Sequence, residues 1–192
     1  MKRLATFTLC LLLACCTVAV VGRWSRAEDS AQTPQVGEAA ADFTLESLGG
    51  EKISLGKLTK AGPVVLVVLR GYPGYQCPLC TRQVGELVGS AEAIAASGAS
   101  VVLVYPGPGD NLTARAEEFL GKRTLPDNFT LVTDPDYTFT RAYHLRWDAV
   151  KETAYPSTFV IDGAGKIRFA QISKSHGGRT PAKTVLAELK KL

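Results

Sequence analysis

The sequence predicts an α/β domain: a central mixed β-sheet flanked by helices, with a hairpin extension at its N-terminal side. Three observations predict it. Val64-Val65-Leu66-Val67-Val68-Leu69 is an uninterrupted apolar run, as expected of a strand buried on both faces. Strand-like and helix-like segments then alternate, ending in a hairpin and a last helix. Finally, taking 27 N-terminal residues from 192 leaves 165, enough for one domain with a sizeable core.

In order, residues 28–35 are small and polar and read as a flexible tether, with the folded part starting near Val36. Phe43 to Leu45 and Lys52 to Leu55, separated by Gly49-Gly50, form the hairpin. Pro63 to Leu69 is the first buried strand. A helix is expected from about Pro78 to Ala96, weakened by Gly85 and Gly89 and ended by Gly98. Ser100 to Tyr105 is a second buried strand, Leu112 to Lys122 a helix, Phe129 to Val132 a third strand and Asp136 to Tyr143 another helix. After a loop holding Trp147, Ser157 to Ile161 and Lys166 to Ile172 flank an Asp162-Gly163-Ala164-Gly165 turn, and Pro181 to Lys191 is the closing helix.

Residues 1–27 have a basic start (Lys2, Arg3), an apolar run from Leu4 to Val21 and a small-x-small signature at Ser25-Arg26-Ala27. They read as a signal peptide or membrane anchor and place the domain outside the cytoplasm, periplasmic or secreted. The run of 18 residues exceeds the ~7–15 usual in a signal peptide, so a membrane tether through residues 4–21 stays open. Lipidation at Leu12-Leu13-Ala14-Cys15 is a lesser alternative. The net charge of +4 resides entirely in Lys2, Arg3, Arg23 and Arg26; from Glu28 onward 18 basic and 18 acidic residues cancel. A neutral domain without a basic run gives no warrant for a nucleic-acid partner.

Of five cysteines, Cys10, Cys15 and Cys16 lie in the leader, so the domain keeps only Cys77 and Cys80. Cys77-Pro78-Leu79-Cys80 follows a buried strand and opens a helix, where a redox dithiol would be placed. A thiol attacks a peroxide or disulfide as the thiolate, and a helix N-terminus or Cys-x-x-Cys arrangement lowers a cysteine pKa from about 8.5 to roughly 3.5–7.5. Pro78 suits a first helical position, which puts Cys77 at the cap. Arg82 and Arg70 are candidates to hold a thiolate, although each also reads as a solvated surface residue. Zinc would need two further ligands, and His144 and His176, 32 residues apart, fit no common finger; no metal is expected. A permanently oxidised structural disulfide is the stronger alternative in an exported chain, but so short a loop stabilises little.

The order of Val36-Gly37-Glu38-Ala39-Ala40-Ala41-Asp42-Phe43-Thr44-Leu45, the strand into Cys77 and Cys80, Asp134-Pro135-Asp136, and Tyr155-Pro156-Ser157-Thr158-Phe159-Val160-Ile161-Asp162 resembles the thioredoxin-fold redoxins over residues 36–192, in particular the alkyl hydroperoxide reductase/thiol-specific antioxidant (AhpC/TSA) group. The resemblance implies a thioredoxin-like fold and two patterns for the site. In the peroxiredoxin pattern Pro-x-x-x-Thr-x-x-Cys, Pro73 and Cys80 fit and Cys77 takes the threonine position, which makes Cys80 the attacker. Pro156 stands where that family has its active-site arginine. A proline there is a thioredoxin trait, cis and beside the dithiol, and on thioredoxin logic Cys77 attacks and Cys80 resolves.

Both patterns imply a dithiol–disulfide cycle with Cys77, Cys80 and Pro156 at its centre and Pro73, Pro78 and Arg82 in support. The implied activity is a peroxiredoxin-like reduction of hydroperoxides, with no cofactor and with an external thiol reductant such as a thioredoxin-like donor. The alternative is an exported thiol–disulfide reductase of the TlpA/ResA type, acting on protein disulfides. A redox-inert binding module on the same fold is a third.

Overall fold

The computed structural model describes residues 32–192; the leader, its three cysteines and the first half of the tether lie outside that range. Seven strands form one sheet in the order β2-β1-β5-β4-β3-β6-β7. The strands β3 (Val64–Val68), β4 (Ser100–Gly107) and β5 (Phe129–Pro135) run parallel, while β6 (Ser157–Ile161) is antiparallel to β3 and β7 (Ile167–Ile172) to β6. The hairpin β1 (Thr44–Ser47) and β2 (Lys52–Ser54) joins the far side by pairing β1 against β5. The sheet is mixed and carries an N-terminal hairpin, as the sequence predicts.

Every residue of β3 is buried, and successive side chains feed two separate cores. Val65, Val67 and Leu69 join the core beneath α2 (Pro78–Val88), α3 (Ala91–Ala95), α4 (Leu112–Leu120) and α6 (Ala182–Leu189). Val64, Leu66 and Val68 join the opposite core with α1 (Leu55–Ala61) and α5 (Thr138–Ala142). Each such side chain contributes about 1.5–3 kcal/mol on burial, which holds β3 inside the sheet between β4 and β6.

Two helical expectations change. The stretch from Pro78 to Ala96 is two helices, because Gly89 closes α2 and Ser90, at φ −111° and ψ 11°, leaves helical geometry before α3 starts. Glycine in a helix interior is costly, and here two lie four residues apart. Residues Leu55–Ala61 form α1, where the sequence gives Leu55 to the hairpin and assigns no element to residues 56–61; its apolar period is short and its buried positions, Leu55 and Thr59, are too few to register as a helical stripe.

Asp134 explains one of the resemblance segments. Its fully buried carboxylate accepts the Phe139 and Thr140 backbone N–H groups at 2.7 and 3.0 Å, fastening the start of α5 to the end of β5. Burial pushes the Asp134 carboxyl above its usual range despite these bonds.

Candidate active site

The dithiol sits beyond the carboxyl ends of the parallel strands, where open α/β sheets place their ligands. From β3 the chain passes through Leu69, Arg70 and Gly71 into α2. Gly71 has φ +69°, and a side chain there would collide with the Pro106 carbonyl oxygen, so the loop packs directly against the end of β4. Gln76 accepts the Tyr105 hydroxyl at 2.8 Å and donates to the Arg115 carbonyl at 3.0 Å, which ties the approach to the cysteines to β4 and α4.

Cys77 is the N-cap of α2, Pro78 occupies the first turn, and the Cys77 sulfur accepts the Cys80 backbone N–H at 3.4 Å. The thiols are free and the two cysteines approach to 3.1 Å. Cys77 is 4 % exposed and Cys80 1 %. The Arg70 backbone N–H reaches the Cys80 sulfur at 3.4 Å. One guanidinium nitrogen, Arg179 Nη2, lies 3.5 Å from the Cys77 sulfur and 3.4 Å from that of Cys80.

These contacts separate the two thiols. A hydrogen bond from Cys80, together with the Cys80 backbone N–H and Arg179, outweighs burial and holds the Cys77 thiol at about 5. Cys80 is pushed well above its ordinary value because it donates its proton to Cys77 and is deeply buried. The two shifts run in opposite directions and favour the thiolate on Cys77, with Cys80 as its hydrogen-bond donor.

Around the dithiol lies a charged chain. Arg70, 3 % exposed, donates through Nε to Glu152 Oε2 at 2.9 Å and through Nη1 to the Tyr75 hydroxyl. Glu152 Oε1 meets His176 Nε2 at 2.7 Å. Trp147 stacks on Tyr155 at 4.9 Å and its ring centroid is 5.2 Å from that of His176, so residues 147–155 and 173–179 are held together. Arg179 Nη1 donates to the His176 and Gly177 carbonyls at 3.0 Å each, which aims the remaining nitrogen at the sulfurs.

Several sequence expectations are corrected here. The Tyr155–Pro156 bond is trans, not cis. Pro156 directly precedes β6, its carbonyl accepting the Ser173 N–H at 2.9 Å while the Tyr155 N–H donates to the Leu145 carbonyl at 2.8 Å. Trans is the intrinsically favoured isomer of an X-Pro bond, and a proline just before the first residue of a strand breaks no ladder bond. Because Ser157 pairs with Val68, Pro156 still lies at the dithiol end of the sheet. Arg82 is exposed, in keeping with its surface reading, and donates to neither sulfur. Arg70 is not a solvated surface residue: its side chain is buried against Glu152, and only its backbone reaches a sulfur. Pro73 sits in the β3–α2 loop and is half-buried. The residues that sequence reasoning missed are Arg179 and Glu152; no local motif marks either, since each reaches the site by long-range folding.

The AhpC/TSA family model matches residues 36–170. Peroxiredoxin Q of chloroplasts from Oryza sativa subsp. japonica is 32% identical over 133 residues, 69% of this chain and 57% of that protein. The Arabidopsis thaliana peroxiredoxin Q is 32% identical over 132 residues, 69% of this chain and 56% of that protein. The chain thus spans a little over half the length of these curated relatives. Among solved structures, peroxidoxin BcpB of Mycobacterium tuberculosis superposes with a TM-score of 0.65 at 24% identity, over 83% of this chain and 98% of that one. A Chlorobium tepidum protein described as a thiol:disulfide interchange protein DsbE superposes with a TM-score of 0.60 at 24% identity, over 82% and 99%. At that identity these two likenesses speak to the fold alone.

Proposed function

The chain belongs to the AhpC/TSA family, and from that membership we propose that it is a thiol-dependent peroxidase in which Cys77 attacks and Cys80 resolves. The observation that carries this reading is the Cys77 thiol held at about 5 at the head of α2, with Arg179 Nη2 beside both sulfurs. The Cys77 thiolate attacks the terminal peroxide oxygen, the O–O bond breaks, and the leaving alkoxide or hydroxide takes a proton from solvent water to depart as alcohol or water. Cys77 is then a sulfenic acid. The Cys80 sulfur attacks the Cys77 sulfur, the S–S bond forms, and the sulfenic oxygen departs as water with the proton that Cys80 had kept. Two electrons pass from the dithiol to the peroxide, and an external thiol reductant restores the pair.

Arg179 takes the place left by proline at position 156: its guanidinium lies where negative charge collects on the sulfur and on the departing oxygen. The near-complete burial of both sulfurs favours a small oxidant such as hydrogen peroxide or a small organic hydroperoxide over the disulfide of a folded protein. The test is steady-state hydroperoxide consumption driven by dithiothreitol. Turnover far above that of free thiols, lost on Cys77→Ser, supports the reading; consumption no faster than free thiol overturns it.

A second reading, reduction of disulfides in other exported proteins, draws on Cys77 at the N-cap and on Pro156 in the arginine's place. Insulin reduction by the same preparation tests it. The leader supports an extracytoplasmic site of action, and N-terminal sequencing of protein recovered from the extracytoplasmic fraction tests that placement.

A further inference from the structure

Between α2 and the start of α6 lies a cleft of about 590 Å³, lined by Leu79, Arg82, Gln83, Arg179, Thr180 and Lys183 among others. It borders the dithiol on two sides: Leu79 is part of the Cys-x-x-Cys turn, and Arg179 touches both sulfurs. Its charge is unbalanced. Arg82, Arg179 and Lys183 share the lining with one carboxylate, Glu86; Arg179 is turned to the Cys77 sulfur, and neither Arg82 nor Lys183 forms an ion pair among the described residues.

A second observation is independent of that charge. Gln83 Oε1, Thr180 Oγ1 and Arg179 Nε are buried polar atoms without a hydrogen-bond partner, and all three belong to residues that line this cleft. Gln83 is 4 % exposed and Thr180 1 %. Unpartnered buried polar atoms are costly, and three of them stand in the wall of this cleft, which makes the wall polar as well as cationic. The cleft is thus small-molecule sized and cationic, has incompletely hydrogen-bonded walls, and reaches the sulfurs through Leu79 and Arg179 rather than being lined by the cysteines themselves.

We propose that this cleft binds a carboxylate-bearing low-molecular-weight thiol, which reduces the Cys77–Cys80 disulfide; the proposal rests on the dithiol–disulfide cycle described above. Arg82 and Lys183 hold the carboxylates, leaving the thiol to run along Leu79 to the disulfide. Its thiolate attacks the Cys77 sulfur, the Cys77–Cys80 bond breaks, and the Cys80 sulfur leaves and takes up a proton. A second thiolate attacks the small molecule's sulfur in that mixed disulfide, releasing the symmetrical disulfide and the Cys77 thiolate. Two thiols are oxidised for each protein disulfide reduced.

Glutathione and its diethyl ester test this, because they carry the same thiol with and without carboxylate charge. The protein disulfide is prepared with diamide, and its reduction by each thiol is timed by quenching with a maleimide. Each rate is divided by that thiol's rate with a free aromatic disulfide, which removes differences in intrinsic nucleophilicity. The wild-type protein is expected to favour glutathione several-fold, up to about tenfold for two surface cations, and the preference is expected to shrink towards one in Arg82→Ala/Lys183→Ala. Equal normalised rates in the wild type, or a preference that survives in the double variant, would overturn the proposal. Hydroperoxide oxidation of the reduced protein, measured separately, fails only if the peroxidase reading fails. Diamide forms the disulfide in either case, so the two failures are distinguishable.

Discussion

Arg179 follows Cys77 by 102 residues, yet its Nη2 atom lies 3.5 Å from the Cys77 sulfur and 3.4 Å from that of Cys80. The contact needs two structural devices. The Arg179 guanidinium is anchored on the His176 and Gly177 carbonyls, and the loop carrying them is held by Glu152, which is itself paired to Arg70 next to the end of β3. The cation at the dithiol thus depends on a chain of contacts that begins at the end of β3.

Replacing Arg179 by alanine is expected to raise the Cys77 thiol pKa, since an adjacent cation favours the thiolate. Iodoacetamide alkylation at pH 6 should slow by roughly threefold to tenfold, with Arg179→Lys falling between. Unchanged alkylation would mean that Cys80 and the helix terminus alone set the thiolate.

The pH dependence has a defined sign. Cys77 is held at about 5 in the fold, against roughly 8.5 in an unfolded chain, so its contribution to stability is fully present above the unfolded value and is lost as pH falls through about 5. Cys80 is raised, so its contribution is fully present below roughly 8.5 and is lost as pH rises beyond that value. The Tm of the reduced protein, taken relative to a Cys77→Ser/Cys80→Ser variant, should rise from pH 5 to about 8.5 and decline above it. A difference that stays flat from pH 5 to 8 would contradict the assignment.

Glu152→Gln leaves the buried Arg70 guanidinium without its counter-charge and removes the partner of His176. A cost of about 2 kcal/mol is expected, below the range for fully desolvated pairs because His176 is solvent-exposed. For a domain of this size that corresponds to a Tm fall of roughly 4–8 °C. Calorimetry checks it, and a fall below about 1 °C would show the pair to be dispensable.

Gly71→Ala places a methyl group against the Pro106 carbonyl, with the backbone at φ +69°. The β3–α2 loop must shift, and with it the Arg70 N–H that reaches the Cys80 sulfur. A loss of at least about 2 kcal/mol in unfolding by urea is expected, together with slower oxidation of the dithiol. Wild-type values for both would show that the loop absorbs the methyl group without moving.

The central strands were legible because Val64 to Leu69 and Ser100 to Tyr105 are too apolar to be anything but buried, and a two-residue period across β3 divides them cleanly between two cores. The cap at Cys77 was legible because a proline directly after it has few other uses in a helix. Arg179 was not, because a lone arginine between Gly178 and Thr180 carries no local signal; its role comes from where the β7–α6 loop folds back. Arg70 read as a surface residue for the same reason: its partner, Glu152, is 82 residues away. The trans bond at Pro156 ran against the resemblance, since it depends on strand pairing around residues 155–157 rather than on the identity of the proline.

The most direct test of the assignment of Cys77 as attacker is the stopped-flow rate at which reduced wild-type, Cys77→Ser and Cys80→Ser proteins are oxidised by hydrogen peroxide. Fast oxidation in the wild type, preserved through the first step in Cys80→Ser as a sulfenic acid trapped by dimedone, and abolished in Cys77→Ser, is the expected result. Fast oxidation that survives Cys77→Ser and vanishes in Cys80→Ser would contradict it and move the attack to Cys80.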